Sequence, residues 1–291
     1  MKKITEILNS TKPTISFEVF PPKTNATYES VEKAVNEIAS FGPSYMSVTY
    51  GAGGGTSDYT VSIAHMIEQN YNVPCVAHLS CISSTKERVF KQLKSLNNAG
   101  IKNILALRGD IPENFDSSRH EYKYASDLIL DIKNAGDFCI GGACYPEGHP
   151  DSVDTNDDLS NLKKKVDAGC DYLTTQMFFD NNIHYKFLYK AREKGITCPI
   201  VPGIMPITNA TQVERAIKLS GTIMPQRFLS IVDRFGKDKN AMMQAGIAYA
   251  TDQIIDLFAN GINHVHVYSM NKPEVARAIL DNLSCIVGCE I

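Results

Sequence analysis

Eight short apolar runs, each followed by enough chain for one helix, recur along the sequence, and this alternation constrains the fold more than any other feature. The runs are Thr14–Phe20, Tyr45–Tyr50, Pro74–Ser80, Asn103–Gly109, Cys139–Pro146, Tyr172–Phe179, Pro199–Met205 and His264–Met270. Between them the apolar period lengthens to that of a helix, as in Val31, Val35 and Ile38 or in Leu159, Leu162 and Val166. Ser, Thr, Asp or Asn stands near many of the helix starts and Gly after many ends. Such alternation demands a parallel sheet, because each helical crossover returns the chain to the same end of the sheet. Eight repeats in 291 residues predict an α/β fold closed into a (β/α)8 TIM barrel. No Pro/Ser-rich linker or break in composition divides the chain, so one domain over 1–291 is expected. The longest strand-free segment, Gly221–Asn240, predicts extra helical structure ahead of a long helix over Asn240–Asn260.

The competing fold is an open, doubly wound sheet, which carries a dinucleotide fingerprint after an early strand. Gly51-Ala52-Gly53-Gly54-Gly55-Thr56 resembles one but lacks the final Gly or Ala, and the next strand has no acidic residue to hold a ribose. No Gly-Lys-Ser/Thr follows, so a Walker-type loop is excluded, and the run reads as a loop over the barrel mouth. A net charge of -3 gives no basic field to attract nucleic acid, so a small-molecule partner is expected. No apolar stretch is long enough to span a bilayer and no signal-peptide run follows the start, so a cytoplasmic protein without membrane contact is expected. None of the eight cysteines forms a Cys-x-x-Cys pair, and those inside strand runs read as small hydrophobes. Cys285-x-x-x-Cys289 is the one pair of interest.

In a barrel of this kind the active site is built at the carboxyl ends of the strands. Those ends carry Glu18, Thr49-Tyr50, His78, Arg108-Gly109-Asp110, Tyr145-Pro146-Glu147-Gly148-His149 and Thr175-Gln176. Glu18 stands among aromatic and proline neighbours, where desolvation would raise its pKa and suit it to general acid work; the other reading pairs it with a strand-end arginine. Arg108 and Asp110, two apart, would share a strand face and aim into the mouth, or else pair with each other. His78 reads equally as a satisfied core histidine or a ligand contact. His264 and His266 share one strand face without a third ligand, so packing is preferred and no metal is expected. Asp158, Asn161, Lys164 and Lys165 fall on one helical face, which either is solvated or grips phosphate and ribose groups.

Taken together, these segments resemble the flavin-dependent methylenetetrahydrofolate reductases of bacterial type. The motifs that carry the resemblance run in the family's order: Ser16-Phe17-Glu18-Val19-Phe20-Pro21-Pro22, Ser47-Val48-Thr49-Tyr50-Gly51-Ala52, Ala106-Leu107-Arg108-Gly109-Asp110 and Tyr124-Ala125-Ser126-Asp127-Leu128. They continue with Tyr145-Pro146-Glu147-x-His149-Pro150, Leu162-Lys163-x-Lys165-Val166-Asp167-Ala168-Gly169, Thr175-Gln176-x-Phe178-Phe179-Asp180 and Pro202-Gly203-Ile204-x-Pro206.

The resemblance implies an enzyme that reduces 5,10-methylenetetrahydrofolate to 5-methyltetrahydrofolate in one-carbon and methionine metabolism. It implies FAD as cofactor and NADH or NADPH as co-substrate. The implied cofactor contacts are Thr49, Tyr50, His78, Arg108, Gly109, Asp110, Tyr124, Ala125, Tyr145, His149, Ser152, Asp158, Asn161, Lys164 and Lys165. Glu18 is the implied proton donor, and Asp110 the implied stabiliser of substrate cation. Gln176, Gln212, Asp110 and Lys272 are the implied folate contacts, with Gln176 and Thr49 shared by the nicotinamide. Two positions depart from the family pattern: Lys272 replaces an arginine, and Ala216 stands near where relatives carry a bulky aromatic that packs on substrate. The expected partners are therefore folate and nicotinamide, with a homo-oligomer and an electron-donating partner subunit as further expectations. The alternatives are an electron-relay subunit on the same barrel and a flavoprotein of proline-dehydrogenase type.

Overall fold

The computed structural model describes residues 1–22, 27–50, 57–111 and 121–288. Its strands are β1 (Thr14–Val19), β2 (Met46–Val48), β3 (Cys75–Ser80), β4 (Asn103–Leu107), β5 (Cys139–Cys144), β6 (Tyr172–Thr175), β7 (Ile200–Val201), β8 (Gly203–Ile204) and β9 (His264–Tyr268). All pair in parallel, in the order β7-β6-β5-β4-β3-β2-β1-β9-β8. Because β7 and β8 adjoin in the chain, the two ends of that order meet and the sheet closes into a (β/α)8-type TIM barrel.

The seventh run was expected as one strand over Pro199–Met205, and it divides at Pro202. Proline has no N–H to give a ladder, so the pairing switches from β6 on one side to β9 on the other. Side chains span the joint: Gly203 N–H donates to Thr175 Oγ1 at 2.8 Å, and the Tyr268 hydroxyl donates to the Thr175 carbonyl at 2.5 Å. A Cβ on Gly203 would lie 2.3 Å from both Thr175 O and Tyr268 Oη, so a larger residue does not fit without movement. Other strands also stop short of their apolar runs. β4 ends at Leu107 because Gly109, at φ +88°, turns the chain out of the ladder.

The helices are α1 (Ile4–Leu8), α2 (Tyr28–Ser40), α3 (Ser57–Tyr71), α4 (Lys86–Asn98), α5 (Ala125–Ala135), α6 (Thr155–Asp167), α7 (Asn181–Glu193), α8 (Thr211–Ser220), α9 (Gln226–Phe235), α10 (Lys239–Ala259) and α11 (Pro273–Val287). α9 supplies the extra helix expected in Gly221–Asn240. Aspartates start three of them: Asp154, Asp180 and Asp238 accept first-turn N–H groups of α6, α7 and α10. α2 buries Val35 and Ile38, and α6 buries Leu159 and Leu162, against the outside of the sheet. The five-residue α1 lacks a periodic signature. It sets Ile4 and Leu8 against Tyr45, Val76, Leu105 and Tyr172, and Ile4 N–H donates to Asn103 Oδ1 at 2.9 Å.

Among the described residues no helix is long and apolar enough to cross a membrane, and no cluster of three His, Cys, Asp or Glu side chains is placed to hold a metal. The Gly51–Thr56 run and Cys289 lie outside the described residues; Cys285 is an exposed free thiol.

Candidate active site

Two cavities open at the carboxyl ends of the strands and share Leu107, Gly109, Asp110, Ala143 and Tyr145 as their common border. The larger, of about 700 Å³, is walled by apolar side chains such as Leu105, Met177, Met205 and Leu219. Its wall surface is mainly apolar, as in most small-molecule sites, with polar groups set into it. Glu18, Thr49, Tyr50, His78, Asp110, Tyr145, Gln176 and Gln212 are all in its lining.

Glu18 is the fifth residue of β1 and keeps 22% of its side chain exposed. Burial pushes its pKa up to about 8. The ionisable residue it meets is not an arginine but His78 on β3, whose Nε2 lies 3.7 Å from Glu18 Oε2. That distance is too long for a hydrogen bond, and burial holds His78 neutral with a pKa near 3. His78 Nε2 and the Tyr50 hydroxyl are both buried without a hydrogen-bond partner. By contrast, the two histidines of β9 have hydrogen-bond partners at both ring nitrogens. His266 contacts Ser16 Oγ at 2.7 Å and Ser47 Oγ at 2.9 Å through its two ring nitrogens. His264 contacts Thr14 Oγ1 at 2.8 Å and donates to Leu8 O at 3.0 Å.

One wall of this cavity is α8, which presents Gln212, Arg215, Ala216 and Leu219 at three- and four-residue spacing. Gln212 Oε1 accepts the Thr208 and Asn209 N–H groups at 2.8 and 3.0 Å, fixing the helix start, and the residue also lines the cavity. Gln176 Oε1 likewise accepts from Met177 N–H at 2.9 Å. Lys272 is in the lining of neither cavity. Its Nζ donates to Thr208 Oγ1 at 2.7 Å, and Met270 represents that loop in the cavity lining.

The smaller cavity, of about 460 Å³, lies between β4, β5, the start of α5 and one side of α6 from its first turn to its last. It brings together Arg108, Tyr124, Ala125, His149, Ser152, Asp158, Asn161, Lys164 and Lys165. Arg108 and Asp110 do not share a strand face, because β4 has already ended, nor do they pair with each other. Arg108 Nη2 instead donates to Asp151 Oδ2 at 2.8 Å, while Asp110 is exposed at the border of the two cavities. His149 meets the Tyr145 ring edge-on at 4.5 Å. Lys165 Nζ donates to the Ala143 carbonyl at 2.5 Å, and burial lowers its pKa. Burial raises that of Asp158, which accepts from Ser152 Oγ at 3.3 Å. Lys164 Nζ donates to Asn161 Oδ1 at 3.1 Å. Cations in one lining, with hydroxyl and carboxylate groups among them, suit phosphates joined to a sugar.

Several lining residues escape a reading of strand ends alone, namely Ser83, Ser84, Arg215 and Leu219. For Arg215 and Leu219 the signal was present, three and seven residues beyond Gln212 on a helix.

The family model for methylenetetrahydrofolate reductase matches residues 3–284. A maize protein named methylenetetrahydrofolate reductase (NADH) 1 is 37% identical over 98% of this chain, which spans 51% of the maize protein. The 5,10-methylenetetrahydrofolate reductase of Escherichia coli K12 is 35% identical, with 94% of this chain and 92% of that protein covered. Thus the chain spans about half the length of the plant relatives it matches and nine-tenths of the enterobacterial one. A solved structure of an uncharacterized protein from Clostridium thermocellum, described as binding two copies of 5-methyl-5,6,7,8-tetrahydrofolic acid, shares the fold. Its TM-score is 0.64 at 17% identity, with 98% of this chain and 99% of that chain covered.

Proposed function

This chain belongs to the methylenetetrahydrofolate reductase family, and from that premise we propose that it reduces 5,10-methylenetetrahydrofolate to the 5-methyl product, using FAD and a reduced nicotinamide. The observation that carries the reading is a largely buried carboxyl group, Glu18, in the lining of a cavity that borders a cation-lined one.

The residues present fit FAD. Arg108, His149, Ser152, Lys164 and Lys165 offer donors and positive charge for a diphosphate, and Asp158 and Asn161 suit ribose hydroxyls. Gly109, Tyr124, Ala125 and Tyr145 border the same path, and Thr49, Tyr50 and His78 stand where the larger cavity would take a flat heteroaromatic ring. The buried, unpartnered His78 Nε2 and Tyr50 hydroxyl support this, since a ring with polar edges would satisfy groups that are costly to leave alone. When bound, FAD supplies the carriage of hydride from nicotinamide to folate.

The chain's own part is proton and charge management. Opening the five-membered ring of the substrate requires N10 to depart as an amine, so Glu18 gives its proton there. The N5 iminium left behind is cationic, and the carboxylate of Asp110, at the border of both cavities, stabilises it. Gln176 and Gln212 hydrogen-bond the pterin, while the apolar walls keep water from the reacting carbon. The name of the maize relative carries NADH, which supports NADH as donor.

The test is the absorption spectrum of the purified protein. A flavin band that NADH bleaches, and that methylenetetrahydrofolate but not a pyrroline carboxylate restores, is the expected result. A colourless protein that gains no band on incubation with FAD counts against it.

A further inference from the structure

Glu147 stands in the mouth but lines neither cavity. Its carboxylate reaches across to the segment just after α8, where Oε2 accepts from the Thr222 hydroxyl at 2.6 Å and Oε1 accepts from the Ile223 backbone N–H at 2.7 Å. The two segments are 75 and 76 residues apart in sequence, so nothing local forces the contact. Thr222 is buried, and Gly221 between it and α8 sits at φ +66°, ending the helix with its N–H on Ile217 O at 2.8 Å.

On either side of Glu147 the chain carries Tyr145 and His149, both of which line the smaller cavity. Gly148, at φ +91°, makes the turn between them, with its N–H on Tyr145 O at 3.0 Å. On the other side of the clasp, α8 carries Gln212, Arg215, Ala216 and Leu219 along the wall of the larger cavity. The start of α8 is already held by Gln212 on the Thr208–Asn209 turn. Its far end is held by Glu147.

We propose that Glu147 is a positioning residue. Its two-oxygen clasp on Thr222 and Ile223 fixes the far end of α8 and couples the loop bordering the smaller cavity to the wall of the larger one. A molecule that orders Tyr145 and His149 in the smaller cavity thereby sets the place of Gln212 and Arg215 over the larger. The coupling rests on the reading above that FAD fills the smaller cavity, whereas the clasp does not.

Amide hydrogen exchange on the full chain tests both parts. In flavin-free protein, Glu147→Ala should speed exchange at Ile223 and the last turn of α8 by about tenfold or more, and Thr222→Val by less, since it removes one of the two bonds. Unchanged exchange there in both variants, each checked for a native thermal midpoint, overturns the clasp. Adding FAD to the unaltered chain should slow exchange in both 145–152 and 211–224. In Glu147→Ala the first effect should persist and the second should shrink. With FAD in place, the same variant should raise KM for methylenetetrahydrofolate several-fold while kcat moves less than about twofold, a split that general destabilisation does not produce. Slowing of 211–224 by FAD to the same extent in Glu147→Ala overturns the coupling. If FAD protects neither segment even in the unaltered chain, the cofactor reading and the coupling both fall, and the flavin-free exchange alone decides the clasp.

Discussion

His78 Nε2 faces Glu18 Oε2 across 3.7 Å, a neutral imidazole beside a carboxyl that burial keeps protonated, with neither group charged at neutral pH. The two groups therefore stand side by side without a buried ion pair and its desolvation cost. A carboxyl with a pKa near 8 still holds its proton at the pH where a model glutamate has lost it.

Glu18→Gln should separate the two half-reactions. Flavin reduction by NADH should change less than about fivefold, while folate reduction should fall by about 10² or more, because only the second half needs the proton. Stopped-flow absorbance of each half checks this, and equal losses in both would sink the assignment. In the unaltered enzyme the folate half should slow as pH rises through about 8, where Glu18 loses its proton.

The same group predicts a stability trend. A folded-state pKa raised from 4.5 to about 8 gives stability that is fully present below pH 4.5 and is lost as pH rises to about 8. Glu18→Gln does not ionise, so the variant should match the parent near pH 4 and exceed it at pH 9 by on the order of a few kcal/mol. Urea unfolding at pH 4, 7 and 9 measures the gap, and a gap that does not grow with pH contradicts the burial argument.

His184 behaves in the opposite sense. It is fully buried in α7, stacked on Phe178 at 5.1 Å, and both ring nitrogens lack partners. Its pKa is lowered to about 4 by burial, so its contribution is present above pH 6.5 and is lost as pH falls toward 4. His78 and His266, each lowered to about 3, add to the same acid loss. His184→Phe keeps the stack and removes two unpaired polar atoms, so it should raise stability by about 1–2 kcal/mol at pH 7 and by more at pH 5. Thermal midpoints at both pH values test it.

Lys165→Met keeps most of the stem and removes the ammonium from the smaller cavity. FAD affinity should weaken by about tenfold or more, read by fluorescence titration of flavin-free protein. Unaltered affinity would remove Lys165 from the phosphate-binding set.

Gly203→Ala should destabilise the barrel by about 1–3 kcal/mol, since its Cβ would meet Thr175 O and Tyr268 Oη at 2.3 Å. A urea midpoint equal to the parent's would show that the joint relaxes without cost.

The barrel was legible in the sequence because a parallel sheet covered by helices writes its pattern locally: apolar runs for strands, a longer period for helices. Glu18 and the Arg108-Gly109-Asp110 turn were legible as mouth residues for the same reason. What the pattern does not encode is which side chains meet across distant segments. Lys272 reaches Thr208 across 64 residues and Arg108 reaches Asp151 across 43, so their partners were not deducible. Pro202 was visible in the seventh run, but the repair of the break by Thr175 and Tyr268 depends on three strands being brought together. α1 was missed because five residues show no period, and its place follows from what it covers.

The joint at Pro202 has a mechanical consequence. Everywhere else the hoop is held by longer runs of backbone pairing, but here it is riveted by Thr175 and Tyr268, and both side chains also line the larger cavity. A molecule seated against them bears on the rivets themselves. Filling the mouth should then tighten the whole ring, so that the substrate acts as a stave of the barrel as well as its cargo.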